Sequence, residues 1–186
     1  MKITKTKIEG LVIIEPKVFG DERGYFFESY QIERYKESEI YSDFIQDNEA
    51  FSGYGVIRGL HYQLAPFSQA KLVRVIKGKV IDVALDIRKG SPTFGQWEAV
   101  ELSEENKRQL FVPKGFAHGY SVLSDETIFS YKCDNIYHPA SERGINLNDV
   151  SLNIDWKIPT ENQIISTKDK VAPDLRDAEI NFVYGK

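Results

Sequence analysis

The sequence predicts an all-β sandwich or barrel built as a single domain over residues 1–186, on three observations. Ten short β-prone segments follow one another at regular spacing, separated by Gly, Pro, Asn and Asp. Helical periodicity is scarce. Two of the β-prone runs carry titratable side chains that a dry core does not tolerate unless they are paired or used.

The segments are justified in chain order by their apolar, β-branched and aromatic content. Leu11 to Ile14, Gly24 to Tyr30, Phe44 to Asn48, Gly55 to Gln63 and Leu72 to Ile76 read as strands. Between the second and third of these, Gln31 to Ile40 places Ile32, Tyr35 and Ile40 roughly on one face and reads as a helix. Lys77-Gly78-Lys79 reads as the turn of a hairpin leading into Val80 to Ile87. Gln96 to Leu102, Arg108 to Val112, Gly119 to Leu123 and Thr127 to Asn135 complete the strands. The region after Ile145 is mixed, with Ser166-Thr167-Lys168-Asp169 able to open a short helical turn. In Val80 to Ile87, Ile81, Val83, Leu85 and Ile87 share one face and Asp82, Ala84 and Asp86 the other. The carboxylates suggest that this second face is exterior; a polar cavity is the other reading.

Composition narrows the function classes. A net charge of −4 and a pI near 5.5 disfavour nucleic acid as a partner. One cysteine provides no disulfide framework and fits a reducing compartment. No run of about 18 apolar residues suggests a membrane span, and Met1-Lys2-Ile3-Thr4-Lys5 lacks the apolar core of a signal peptide. The expected setting is the cytoplasm.

The chemistry-bearing residues are few. His61 lies in Arg58-Gly59-Leu60-His61-Tyr62-Gln63, and His118 in Phe111-Val112-Pro113-Lys114-Gly115-Phe116-Ala117-His118-Gly119-Tyr120. The second run looks like a cupin motif. Metal-binding barrels of that type pair two His one residue apart, and here Tyr62 and Gln63 follow His61, so no metal is expected. Arg58 and Lys71 near His61 favour a neutral imidazole able to act as a base, and suit an anionic ligand. Strict alternation puts Arg58 and His61 on opposite faces, so a shared pocket requires a bulge, which Gly59 permits. Tyr131 and Cys133 face the same way. Tyr131 is either packing or a proton donor; Cys133 has no feature that would make it a nucleophile.

Several motifs then occur in order: Phe19-Gly20-Asp21-Glu22-Arg23-Gly24-Tyr25-Phe26-Phe27-Glu28, Gln46-Asp47-Asn48, Arg58 to Gln63, Lys71-Leu72-Val73-Arg74, Asp82 to Arg88, Ser91 to Gly95, Phe111 to Gly119 and Lys168-Asp169. The series resembles the dTDP-4-dehydrorhamnose 3,5-epimerases of L-rhamnose biosynthesis over nearly the whole chain. The resemblance implies a cupin-like jelly roll with a few short peripheral helices, no metal or cofactor, a homodimer, and dTDP-4-dehydro-6-deoxy-D-glucose as substrate. It implies His61 as general base, Tyr131 as proton donor, Asp169 as the carboxylate orienting His61, and Lys71 as the cation beside the 4-keto oxygen. Arg23, Glu28, Gln46, Asp47, Asn48, Arg58, His118, Glu142 and Lys168 match substrate-contacting positions, and Tyr137 a further aromatic of the pocket. Arg143, beside Glu142, and the polar tail around Asp174-Leu175-Arg176 depart from the pattern.

That resemblance carries a geometric expectation. Arg58, His61, Lys71, His118, Tyr131 and Asp169 must converge, β parity must break near Gly59, and Asp82 must turn inward. A 3-only or 5-only epimerase, or a keto-isomerase on a related dTDP-4-keto sugar, is the nearest rival. A sugar-sensing module would need a DNA-binding segment, which the sequence lacks, and a metal-dependent dioxygenase would need a metal.

Overall fold

The computed structural model describes residues 1–185, and almost all of its regular structure is strand. β1 (Lys2–Lys5), β2 (Val12–Glu15), β3 (Phe19–Asp21) and β4 (Gly24–Phe26) precede α1 (Ile32–Glu37). β5 (Gln46–Ser52), β6 (Val56–Gln63), β7 (Lys71–Lys77) and β8 (Lys79–Asp86) follow. β9 (Trp97–Ser103), β10 (Gln109–Val112), β11 (Phe116–Val122) and β12 (Thr127–Cys133) complete the long strands. Short elements close the chain: β13 (Glu142–Gly144), β14 (Ile164–Ile165) and α2 (Thr167–Lys170).

Two sheets face one another in a jelly roll. One runs β1-β2-β10-β7-β12-β5; the other runs β13-β6-β11-β8-β9, with β14 added parallel to β6. Val73, Val75, Leu110 and Phe129 from the first sheet meet Val80, Val100, Leu102 and Val122 from the second, and this layer is the main core. The expected all-β jelly roll with short peripheral helices is the fold observed. The sheets lie face to face and do not close into a continuous hydrogen-bonded barrel.

The helix is shorter than its pattern at both ends: Gln31 accepts the Arg34 amide at 2.7 Å and sets the start one residue later, and Ser38 caps the end before Glu39, whose φ is +65°. Tyr35 anchors it, donating its hydroxyl to the buried Gln109 side chain at 2.8 Å. The β-prone run from Gly24 ends as a strand at Phe26, where β4 pairs only with β3 in a separate two-stranded hairpin.

Two expectations are corrected. Lys77-Gly78-Lys79 joins β7 to β8, but these strands belong to opposite sheets, so the turn is a corner between sheets and not a hairpin. Gly78 permits it: its φ is +82°, and a Cβ there would lie 2.3 Å from the Glu126 carbonyl. The Asp82, Ala84 and Asp86 face of β8 is also not exterior, since all three residues are fully buried. The opposite face, Val83, Leu85 and Ile87, is covered by Leu147, Leu152, Trp156 and Ile180 of the irregular C-terminal region. That cover makes the apolar face a second core and turns the polar face toward the space between the sheets. Asp86 is satisfied there by Arg88, Ser91 and Thr93.

Candidate active site

The site begins with an irregularity in β6. His61 stands opposite His118 and Arg58 opposite Tyr120, so three steps along β6 span two along β11. The extra residue reverses side-chain parity between Arg58 and His61 and lets both face one cavity. Gly59 provides the break. Its φ is +129°, and a Cβ on it would sit 2.5 Å from the Gly119 Cα.

The cavity holds about 450 Å³ and is walled by both sheets. β6 and β11 contribute Arg58, His61, His118 and Tyr120; β7 and β12 contribute Lys71 and Tyr131. Lys168 and Asp169 enter from α2, while Ala50, Val56 and Ile164 make an apolar section. The six residues expected to converge therefore do so, and Asp82 turns inward behind them.

Two His–carboxylate pairs stand side by side. His61 Nε2 lies 2.7 Å from Asp169 Oδ1, which leaves Nδ1 as the nitrogen available to a ligand. Asp169 is nearly inaccessible to solvent. Burial pushes its carboxyl up, but the His61 hydrogen bond and charge, with Ser166 and the Gly59 amide, outweigh burial and hold it below the ordinary range. His118 Nε2 lies 2.8 and 3.0 Å from the two oxygens of the buried Asp82.

The facing sheet supplies two groups with opposite tendencies. Lys71 is half-buried in the cavity wall, and burial lowers its pKa from the ordinary lysine range despite the nearby Cys133, Asp82 and Glu142. Burial raises the Tyr131 phenol, with Cys133 and Glu142 adding to the effect and Arg58 opposing it. The Lys71 ammonium lies 5.9 Å from the centre of the Tyr131 ring. Cys133 is buried, and its thiol is pushed up to about 11, chiefly by burial, which leaves it unreactive.

Of the other expected residues, Lys168 lines the cavity and the rest stand outside it. Glu142 links Lys168 to Tyr137, accepting the Tyr137 hydroxyl at 2.8 Å, which places this trio beside α2. Gln46 accepts the Tyr137 amide at 2.9 Å and donates to Asn48 at 3.1 Å. Asp47 pairs with Lys132 at 2.8 Å, and Asp47 and Asn48 line a smaller neighbouring pocket with Arg74 and Tyr131. Arg23 and Glu28 do not line the cavity of their own chain. Arg23 pairs with Asp21 on the exposed β3–β4 hairpin, and Glu28 with Arg34 at 2.9 Å.

Sequence reasoning missed Ser52, which accepts from the Arg58 guanidinium at 3.2 and 3.3 Å, and the role of Asp82 toward His118. Alternation pairs Asp82 with Ala84 and Asp86 on one face, and that polar face was the available signal.

An imidazole of β6 paired with a carboxylate of α2, facing a phenol and an ammonium of the other sheet, is a set of groups able to move protons on a bound ligand. The profile of the dTDP-4-dehydrorhamnose 3,5-epimerase family matches residues 5–177. A dTDP-4-dehydrorhamnose 3,5-epimerase of Shigella flexneri is 53% identical over 180 residues, 96% of this chain and 98% of the relative. The crystal structure of the Elizabethkingia anophelis dTDP-4-dehydrorhamnose 3,5-epimerase superposes with a TM-score of 0.92 at 51% identity, covering 95% of this chain and 97% of that one. A Legionella pneumophila dTDP-6-deoxy-D-glucose-3,5-epimerase in complex with dTDP-4-keto-L-rhamnose gives 0.91 at 54% identity, covering 95% and 93%. The chain belongs to the dTDP-4-dehydrorhamnose 3,5-epimerase family, and it is an isomerase of the carbohydrate epimerase class.

Proposed function

We propose that this enzyme inverts carbons 3 and 5 of dTDP-4-dehydro-6-deoxy-D-glucose to give dTDP-4-dehydro-L-rhamnose, with His61 as base and Tyr131 as acid. The observation that carries this reading is the His61–Asp169 pair placed across one cavity from Tyr131 and Lys71. The 4-keto group makes the hydrogens on carbons 3 and 5 acidic. His61 Nδ1 takes one of them, the C–H electron pair becomes the enolate, and the negative charge collects on the former carbonyl oxygen. Lys71 stabilises that oxygen, strongly because its ammonium is poorly hydrated. Tyr131 on the facing sheet then protonates the carbon from the other side, and solvent restores both side chains. Repetition at the second carbon completes the product with no net oxidation or reduction. No redox group or metal takes part in this scheme.

Deuterium uptake in heavy water tests the reading. Both carbons should acquire deuterium, and product NMR should show both inverted. Uptake at one carbon alone would identify the single-carbon epimerase instead.

The pH profile carries a further expectation. Lys71 must be charged and Tyr131 protonated. Burial lowers the first and raises the second, which moves Lys71 toward being the first to lose its proton as pH rises. The alkaline limb of kcat should therefore belong to Lys71 and lie below the ordinary lysine value of about 10.4. Lys71→Arg should lower kcat and move that limb upward. An unmoved limb in Lys71→Arg would assign it to another group.

The homodimer that the resemblance implies would give Arg23 and Glu28 a place. The β3–β4 hairpin exposes Phe19, Tyr25 and Phe26, an apolar surface that a second copy can cover, with Arg23 and Glu28 brought toward the partner's nucleotide. Phe26→Arg should yield monomer in sedimentation and weaken dTDP binding; a dimer of unchanged affinity would argue against this arrangement. A cytoplasmic setting belongs to the same reading, and the single, unpaired cysteine supports it. Among the described residues no helix is long and apolar enough to cross a membrane.

A further inference from the structure

We propose that Ser166 is a positioning residue for catalysis: its hydroxyl fixes the single turn that carries Asp169, and thereby holds His61 in its working orientation. This inference rests on the reading of His61 as the base. α2 is only four residues long, Thr167–Lys170, and Asp169 is its one buried residue. Thr167, Lys168 and Lys170 are exposed, and Val171 just beyond is 78% exposed, so no apolar face clamps the turn against the sheet. The preceding strand β14 is two residues long and pairs only with Val56 and Ile57.

Such a turn does not hold itself. A single helical turn has few internal hydrogen bonds against the entropy of ordering it, and its first amides have no partner within the turn. Ser166 Oγ accepts one of these amides, that of Asp169 itself, at 3.1 Å, and the Ser166 carbonyl accepts the Lys170 amide at 3.1 Å. The side-chain bond therefore ends on the residue whose carboxylate lies 2.7 Å from His61 Nε2. Removing the Ser166 hydroxyl frees the Asp169 backbone, and the carboxylate can then drift from the imidazole. A displacement beyond about 0.5 Å is enough to misalign a general base.

The experiment compares Ser166→Ala with Ser166→Thr in the full-length enzyme, since Thr keeps the capping oxygen. Two readouts are taken: kcat and KM for the nucleotide sugar, and the downfield NMR resonance of the His61–Asp169 hydrogen-bonded proton in the ligand-free enzyme. Ser166→Ala should lower kcat roughly three- to tenfold, the scale of one lost hydrogen bond, with KM unchanged. Its resonance should broaden or disappear. Ser166→Thr should restore both. A turn lying at the surface makes misfolding of either variant an unexpected result, and a thermal melt checks it. Wild-type kcat with an intact resonance in Ser166→Ala would overturn the proposal. So would a fall in kcat with the resonance intact, a rise in KM alone, or a threonine variant as impaired as the alanine one. If the resonance is lost, kcat is unchanged and His61→Asn is active, the reading of His61 as base has failed while Ser166 still holds Asp169. With His61→Asn inactive, that same pattern overturns the proposal.

Discussion

Replacing His61 by Asn should lower deuterium exchange at both sugar carbons by about 10²–10⁴-fold, the loss that follows removal of a positioned general base. Asn is the informative substitution. Its amide can still donate to Asp169, so the nearly inaccessible carboxylate keeps a partner and the fold is not penalised for an unpaired buried charge. Affinity for dTDP should stay close to that of the parent enzyme, because in the proposed scheme the base acts on the sugar while the nucleotide is held elsewhere. Isothermal titration with dTDP, alongside exchange measured by NMR, separates the two effects. Exchange near the parent rate would remove His61 from the mechanism.

Tyr131→Phe should fail in a different way. The ring packs near Phe129, with centroids 6.0 Å apart, and lies beneath the Lys71 ammonium; both contacts survive loss of the hydroxyl. The fold should therefore be unaffected. Deprotonation by His61 can continue while delivery of a proton from the facing sheet cannot. The variant should wash deuterium into the substrate or release partly processed sugar, with formation of the doubly inverted product reduced by a comparable 10²–10⁴-fold. Product NMR over time checks this outcome. Parent-level yield of the inverted product would return Tyr131 to a packing role.

The two substitutions probe residues whose partnership the chain conceals. His61 and Tyr131 are separated by five intervening strands, β7 to β11, and Asp169 lies further still along the sequence. Their convergence was an expectation of the family resemblance; the strand pattern itself carried only the parity conflict between Arg58 and His61, which a shared pocket could resolve through a break at Gly59. Ser166 as the opening of a helical turn was legible for the same kind of reason: a capping residue acts within three positions of itself.

Other features had no local signature. A glycine turn between two β-prone runs is the same in sequence whether it closes a hairpin or carries the chain from one sheet to the other, and Gly78 does the second. Arg23 and Glu28 sit in a recognisable motif, yet nothing in that motif says that the hairpin stands clear of its own cavity.

The sequence by itself determined the strand content, the alternation within each strand, the positions where regular structure must break and the set of side chains able to do acid–base chemistry. Only the tertiary structure decided that neither face of β8 meets solvent. Alternation divides a strand into two faces through the backbone geometry of neighbouring residues, and that is a short-range property. Whether Asp82 lies outside or behind His118 depends on Leu147, Leu152, Trp156 and Ile180 covering the opposite face, and those residues lie some 60 to 100 positions away. Burial is a property of what packs on a surface, so a sequence pattern can define the surface without revealing its cover.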